Sequence, residues 1–242
     1  MRIQTILLIV IVIVLLYIVI RYMIKDVNTL SGLMDGKTMQ TISASKLDSG
    51  NTSFNTSNFC YSIWFFIDDW NYRYGENKII FGRKTGDKVP CPVVSLGKTQ
   101  NNLEITLQVY PGTNSDSKPV KTTDVLTPTY TVGNIPLQKW VNLIISSYGR
   151  SLDVYIDGKL VRTCLLPGVA KIDASSNVYV TPNGGFSGWT STFQYWPYAC
   201  DPQKAWNIYK KGYGGSVIGN LGSYSVKVSI MEGATEEASF KF

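Results

Sequence analysis

The chain has 242 residues and carries 23 Lys and Arg against 17 Asp and Glu, a formal net charge of +6. Three of the basic residues, Arg2, Arg21 and Lys25, lie in the first 25 positions, so the rest of the chain is close to neutral and gives little reason to propose nucleic-acid binding. The chain contains no histidine, which removes the usual general base of serine and cysteine hydrolases and the commonest metal ligand.

The first element is an apolar run, Ile3–Ile24, which only Arg21 interrupts with a charge. At about 1.5 Å per helical residue it spans about 33 Å, enough to cross a hydrocarbon core of about 30 Å. The run is longer than the core of a cleaved signal peptide, and no small-residue cleavage site follows it. We predict that residues 1–25 are an uncleaved transmembrane anchor and that the chain is a single-pass membrane protein. Basic residues on both sides of the run leave its topology open.

Residues 26–58 are predicted to be a stalk or linker, because this stretch is rich in Gly, Ser, Thr and Asn and has no sustained apolar period. Part of it, around Met39–Ile42, could still pair as a short edge strand. Two Asn-x-Ser/Thr sequons lie here, at Asn51 and Asn55, and they would be glycosylated only if this side of the membrane faces a secretory lumen.

From Phe59 the pattern changes to the period of two that is typical of β-strands. Asn102–Tyr110 alternates apolar and polar residues, which predicts a half-buried antiparallel strand. Asp157-Gly158 separates two extended runs and predicts a two-residue type I′ hairpin. Short runs rich in β-branched and aromatic residues predict further strands at Phe59–Ile67, Lys78–Phe81, Val93–Leu96, Trp140–Ser146 and Asn177–Thr181. The fold class is therefore all-β, a sandwich of two antiparallel sheets.

One short helix interrupts this β pattern. Asp201 can cap its start, Pro202 fits its first turn, and Gly212 can end it. Beyond it, Tyr224–Ile230 and Ala238–Phe242 are predicted to pair as a two-stranded ribbon within residues 214–242.

Three ordered stretches carry a resemblance to a known superfamily. They are the aromatic strand Ser62–Phe66, the Trp strand and hairpin within Ile135–Lys159, and the closing strand and helix within Gly185–Tyr209. With them the chain resembles the concanavalin A-like lectin/glucanase superfamily, in its laminin-G or pentraxin type of jelly roll. The resemblance implies one jelly-roll domain over residues 59–213. Similar membrane-anchored domains, with a terminal β ribbon, occur among virion proteins of large DNA viruses.

The sequence argues against an enzyme. Glycoside hydrolysis needs a pair of flanking carboxylates, and the glucanase branch of the superfamily places its acids alternately along one strand. Here Asn102–Tyr110 offers only Glu104, while Asp153 and Asp157 stand apart and the hairpin turn already explains the second. The cysteines lack the Cys-x-x-Cys spacing of zinc clusters, and no Gly-rich phosphate-binding loop is present. We expect no catalytic residues.

Calcium is the only cofactor that the resemblance brings in, because many laminin-G and pentraxin relatives bind it through loop carboxylates. The available acids are Asp68, Asp69, Asp87 and Asp116. Acids at a strand end also serve as caps or face water, so we expect no metal and no other cofactor.

The best candidate for a ligand site is a predicted loop in which Asp68, Asp69, Trp70, Tyr72 and Tyr74 lie within seven positions. Aromatic rings can stack on the apolar face of a sugar while carboxylates bind its hydroxyl groups. Alternatively, Trp70 and Tyr72 pack on the sandwich edge and the charges face water. A second aromatic group is expected to belong to the core and sheet edge: Trp189, Tyr195, Trp196 and Tyr198.

The four cysteines, Cys60, Cys91, Cys164 and Cys200, allow three pairings. The resemblance implies that the first and last core strands are neighbours, which would pair Cys60 with Cys200 and leave Cys91 with Cys164. Free buried thiols remain the alternative, because a cytosol-facing domain would keep them reduced.

These observations predict a non-enzymatic interaction protein. Its N-terminal helix would bind a lipid bilayer, and its other partners would be neighbouring structural proteins. The terminal ribbon would offer an uncovered strand edge for such contacts. The viral resemblance implies a minor virion component linking a virion or host membrane to the capsid. The alternative is a membrane-anchored lectin that presents the Asp68–Tyr74 loop to glycans, and a third hypothesis is an unusual glycosidase.

Overall fold

The structure is a computed structural model that describes residues 12–13, 15–17, 28–47, 57–84, 91–110, 126–214, 227–232 and 235–241. The strands in these ranges are β1 (Thr29–Ser31), β2 (Met34–Asp35), β3 (Gln40–Ile42), β4 (Phe59–Asp69), β5 (Lys78–Lys84), β6 (Val93–Leu96), β7 (Leu103–Thr106), β8 (Thr129–Val132), β9 (Trp140–Tyr148), β10 (Ser151–Ile156), β11 (Lys159–Leu165), β12 (Asn177–Val180), β13 (Ser187–Trp196), β14 (Lys227–Glu232) and β15 (Thr235–Lys241). A 3-10 turn occupies Ala44–Lys46, and helix α1 spans Pro202–Lys211.

Two antiparallel sheets form the body of the protein, which confirms the predicted mostly-β sandwich with one short helix. The first sheet has seven strands in the order β1-β13-β4-β9-β10-β11, and β2 also pairs with β13. The second has six strands in the order β3-β12-β5-β6-β7-β8. Strands distant in the chain are neighbours in both sheets, as in a jelly roll.

The main core lies between the two sheets. Alternate residues of β4, which are Phe59, Tyr61, Ile63, Phe65 and Ile67, point into it and are fully buried. Each such side chain stabilises the fold by about 1.5–3 kcal/mol relative to exposure. The second sheet supplies the matching apolar layer, which includes Ile80, Val94, Leu103, Ile105, Val178 and Val180.

The remaining residues of β4, which alternate with the inward-facing ones, lie on the outer face of the first sheet. Helix α1 packs over part of this face, where its Ala205 and Ile208 bury against Ile144 and Tyr155 in a second, smaller core. The predicted cap is present, because Asp201 Oδ1 accepts a hydrogen bond from Lys204 N at 2.7 Å. The helix ends at Gly212, which has φ of 75°.

A disulfide joins Cys60 on β4 to Cys200, with the Cα atoms 5.7 Å apart. Cys200 lies in the turn between β13 and α1 and not on a strand, and its N–H donates to Ser146 Oγ at 2.8 Å. The other pair implied by the resemblance is not formed. Cys91 and Cys164 are free and buried; Cys91 precedes β6 in one sheet and Cys164 lies on β11 in the other.

Much of the predicted stalk belongs to the two sheets. Within residues 28–47, β1 and β2 pair with β13, and β3 pairs with β12. Gly36 N donates to Gly188 O at 2.7 Å, and Phe186 N donates to Gly36 O at 3.0 Å. Backbone hydrogen bonds hold this segment, and Leu30, Ile42 and Leu47 pack in or against the main core, but these apolar residues are too far apart in the sequence to give the alternation used to recognise strands.

Short pieces of the chain ends are described. Residues 12–13 and 15–17 are helical, and no helix in the described ranges is both long and apolar enough to cross a membrane. The other residues of the predicted anchor, and both sequons at Asn51 and Asn55, lie outside the described residues. Strands β14 and β15 pair antiparallel as a separate two-stranded sheet within the predicted ribbon.

Candidate functional site

The predicted ligand loop begins where β4 ends. Asp68 and Asp69 are the last residues of that strand, and both are exposed. Asp69 Oδ1 accepts a hydrogen bond from Asn71 N at 2.8 Å, so this carboxylate caps the turn that follows. Tyr74 is 58% exposed. These three side chains face solvent.

Trp70 makes contacts within the protein. Its ring packs against the main core, and Lys78 Nζ lies 4.2 Å from the ring centroid and donates to the Trp70 carbonyl oxygen at 3.2 Å. Burial lowers the pKa of Lys78, and the nearby Arg73 guanidinium lowers it further. The cation–π contact places an ammonium group of the chain itself on the Trp70 ring.

Tyr72 and Arg73 fasten the same loop to the turn before β13. The Tyr72 hydroxyl donates to Gly184 O at 3.2 Å. The Arg73 guanidinium forms an ion pair with Glu76 at 2.6 Å and donates to the backbone oxygen of Asn183. The loop therefore serves as a structural junction, and ligand binding by its exposed residues stays a prediction.

A second cluster lies on the outer face of the first sheet, beside helix α1. Trp189, Phe66 and Trp140 are directly opposite one another on the neighbouring strands β13, β4 and β9. The Phe66 ring centroid lies 5.7 Å from the Trp189 ring centroid and 5.8 Å from that of Trp140. Tyr213 stacks on Trp140 with centroids 4.6 Å apart and 7° between the ring planes. We call these four residues the aromatic row.

Strand pairing positions three residues of the row, and hydrogen bonds to the backbone of Tyr213 position the fourth. Its three strand residues share one face because directly opposed residues of antiparallel strands point to the same side of a sheet. Tyr213 follows the end of α1, and its carbonyl oxygen accepts hydrogen bonds from Ser191 Oγ and Thr192 Oγ1, each at 2.6 Å. The backbone of Tyr213 is thus tied to β13.

The row presents aromatic surface to solvent. Trp189 is 42% exposed and Tyr213 is 47% exposed, while the other two rings are half-buried. Exposed carboxylates flank the row, because Asp35 on β2 is the register partner of Trp189, and Asp68 lies two residues beyond Phe66 on the same strand. Asp35 Oδ1 already accepts a hydrogen bond from Lys37 N at 2.7 Å. Flat apolar rings next to exposed carboxylates have the composition that can bind a polar, ring-shaped ligand.

The row was not identified from the sequence, where Trp189 was expected to belong to the core or sheet edge. The available signal was the alternation within β4. Because Ile63 and Phe65 face the core, Trp64 and Phe66 must face outward, which is unusual for large aromatic side chains unless something covers or uses them.

The described residues contain no group of three or more His, Cys, Asp or Glu side chains that could hold a metal ion. Asp87 and Asp116, two of the acids considered for calcium, lie outside the described residues.

Comparison with known proteins places the fold. No protein-family model and no curated protein matches the sequence. Similar solved structures include the receptor-binding domain of botulinum neurotoxin C/D mosaic serotype, with 12% identity over 75% of this chain and 43% of that chain and a TM-score of 0.53. Another is the binding domain of botulinum neurotoxin DC in complex with rat synaptotagmin II, with 16% identity over 72% and 40% and a TM-score of 0.51.

A third similar structure comes from work on botulinum neurotoxin type C, whose cell entry depends on interaction with two ganglioside molecules. It has 16% identity over 72% of this chain and 39% of that chain, with a TM-score of 0.50. The chain has a jelly-roll sandwich fold. It spans less than half the length of these solved chains, and at this identity the likeness shows the fold alone.

Proposed function

We propose that this chain is a non-enzymatic recognition domain that binds glycans through the aromatic row. The observation that carries the proposal is the row itself, three aromatic residues in register across neighbouring strands with a fourth stacked on the last. Trp189 and Tyr213 are 42% and 47% exposed, and neighbouring exposed apolar side chains can form a binding site. Aromatic faces with flanking carboxylates suit the apolar faces and hydroxyl groups of sugars.

The solved neighbours support a recognition role. Botulinum neurotoxin type C interacts with two ganglioside molecules, and the DC binding domain was solved with rat synaptotagmin II. A domain of this fold can therefore occur in proteins that bind glycolipids and protein receptors. The ligand class assigned to the present chain rests on its own aromatic row.

Membrane attachment is part of the same proposal. The apolar run Ile3–Ile24 would anchor the chain and hold the jelly roll close to a bilayer, where the row could meet membrane glycans. Membership of the concanavalin A-like superfamily is likewise proposed from the sequence stretches named above. The non-enzymatic assignment rests on the absence of histidine from the sequence and on its lack of a paired-carboxylate strand motif.

A structural role is the second candidate function, and the two-stranded sheet β14–β15 favours it. This sheet lies outside both sheets of the sandwich in the strand pairing, so its strands can accept further strands from a partner protein. In that role the chain would be a minor virion component that links a membrane to a capsid.

A glycan array separates the two functions. The full chain in detergent or nanodiscs should bind a subset of glycans, and Trp189→Ala should abolish that binding. Tyr148→Ala is the matched control, because Tyr148 is the last residue of β9, is 70% exposed and lies outside the row. No binding by the wild-type chain, together with its recovery in a detergent-resistant protein assembly, would reject the glycan proposal in favour of the structural role.

A further inference from the structure

Two buried polar atoms next to the aromatic row have no hydrogen-bond partner in the described part of the chain. They are the indole nitrogen Nε1 of Trp64 and the side-chain oxygen Oδ1 of Asn142. The two residues are 5% and 0% exposed, and they lie directly opposite each other on β4 and β9. An unpaired buried donor or acceptor costs about 1–3 kcal/mol, so a site of this kind favours any partner that satisfies both atoms.

The pair adjoins the row along both strands. Trp64 precedes Phe66 by two residues on β4, and Asn142 follows Trp140 by two residues on β9, so all four share one face. Tyr213 marks the boundary, because its ring lies edge-on to Trp64 at 6.0 Å while it stacks on Trp140. A molecule stacked on the row would therefore be next to the two unpaired atoms.

The remaining groups of Asn142 are already bonded, which leaves its Oδ1 as an acceptor. Its backbone N–H donates to Asp157 Oδ1 at 2.9 Å, and its Nδ2 donates to Ser62 Oγ at 3.2 Å. An indole N–H is a donor only, so the pair presents one donor and one acceptor. A hydroxyl group can donate and accept at once, and it therefore matches both atoms.

Two tyrosine rings contact Trp64. Tyr209 of α1 stacks on it with centroids 5.7 Å apart, and Tyr213 lies edge-on to it at 6.0 Å while stacking on Trp140. Tyr213 therefore lies between Trp64 and the rest of the row. Its backbone carbonyl is held by Ser191 and Thr192, but its side chain is half-exposed and follows Gly212 at the helix end. The ring can therefore change rotamer while the backbone stays in place. Turning it aside would open the side of Trp64 that faces the row, while Tyr209 stays stacked on the Trp64 ring.

We propose that Trp64 Nε1 and Asn142 Oδ1 form a hydroxyl-binding slot, which receives one hydroxyl group of a sugar stacked on the aromatic row after the Tyr213 ring turns aside. This inference rests on the proposed glycan function and makes it more specific. The slot has one neutral donor and one neutral acceptor, so it selects an uncharged hydroxyl over a carboxylate or a sulfate, whose burial without a counter-charge is costly.

The test combines a conservative variant with chemically modified ligands. Trp64→Phe keeps an aromatic ring against Tyr209, whose centroid lies 5.7 Å from that of Trp64, and removes the N–H donor together with part of the ring volume, a loss that the control variant below also carries. We expect it to weaken binding of the best array glycan about three- to tenfold. A series of monodeoxy versions of that glycan, each lacking one hydroxyl group, is then titrated. One of them should bind the wild-type chain more weakly than the parent glycan by the same factor, and should bind Trp64→Phe with the same affinity as the parent glycan does.

Trp196→Phe is the matched control, because Trp196 is also buried on this face but its indole nitrogen is not among the buried unpaired atoms. It should leave glycan affinity unchanged. The deoxy series on the wild-type chain needs no variant, so the test stands even if Trp64→Phe folds poorly.

The outcomes are separable. Glycan binding that is lost in Trp189→Ala but unchanged in Trp64→Phe, or that no single deoxy substitution weakens, would overturn the slot and leave the glycan function intact. Absence of glycan binding by the wild-type chain would overturn both. An ordered water that stays between Trp64 and Asn142 when the sugar is bound would also reject the slot.

Discussion

Trp140 and Tyr213 are stacked almost parallel, with 4.6 Å between ring centroids, although one lies on a central strand and the other follows the helix. Their contact joins the end of α1 to the aromatic row. It therefore links the stability of the helix end to the shape of the proposed site.

The stacked rings of Trp140 and Tyr213 should stabilise the fold through an interaction that needs both side chains. In a double-mutant cycle of Trp140→Ala and Tyr213→Ala, we expect a coupling of about 0.5–1.5 kcal/mol in the free energy of unfolding, the usual value for aromatic pairs. Urea denaturation measures it. A cycle of Trp140→Ala with Tyr148→Ala should show no coupling, and a coupling of zero for the stacked pair would contradict the described geometry.

The Cys60–Cys200 disulfide should contribute strongly to stability. It closes a loop of 140 residues, and removing a native disulfide typically costs about 2–5 kcal/mol. The double variant Cys60→Ala/Cys200→Ala should melt at a lower temperature, and reducing agent should have no further effect on it. Peptide mapping without reduction should find Cys60 linked to Cys200 and two free thiols, whereas four free thiols would contradict the structure.

Cys91 should make stability decline at alkaline pH. Burial raises the pKa of its thiol from 9.0 to about 11, so the folded state keeps a proton that the unfolded state loses. The resulting stabilisation is complete below pH 9 and disappears as pH rises through about 11. The difference in unfolding free energy between wild type and Cys91→Ala should therefore shrink over this range, on the order of 1–3 kcal/mol. A difference that is constant with pH would show that the thiol titrates normally.

Gly188 should tolerate no side chain. It has φ of 146°, and a Cβ atom there would lie 1.8 Å from Phe66 O. We expect Gly188→Ala to destabilise the protein by several kcal/mol, because β13 would have to separate from β4. Gly32→Ala is the control, since nothing lies within 4 Å of its Cβ position. It should change stability by no more than about 0.5 kcal/mol.

The sequence predicted those strands and turns whose formation depends on residues close together in the chain. The β-branched and aromatic content of β4, the alternation around β7 and the Asp157-Gly158 turn are local properties, and both residues of that turn have positive φ in the structure. Strand β13 was expected only from the resemblance, as a closing strand within Gly185–Tyr209, because buried Ser191, Thr192 and Gln194 and a bulge break its apolar pattern. Tertiary pairing overrides propensity in such strands.

The candidate site was harder to predict, because it depends on contacts between distant residues. The Asp68–Tyr74 loop looked like a ligand platform, yet Lys78 and Gly184 engage two of its rings from other elements. The aromatic row requires the register of three strands that lie far apart in the chain. No sequence window contains that register, so only the fold reveals the row.

The most direct test of the glycan proposal is calorimetric titration of the best array glycan into the wild-type chain and Trp189→Ala. Trp189 is the most exposed strand residue of the row, and Trp side chains are enriched among the residues that contribute most binding energy. We predict measurable binding by the wild-type chain and affinity at least about tenfold weaker for the variant. Equal affinities, with both proteins showing the same melting temperature, would contradict the assignment of the row as the binding site.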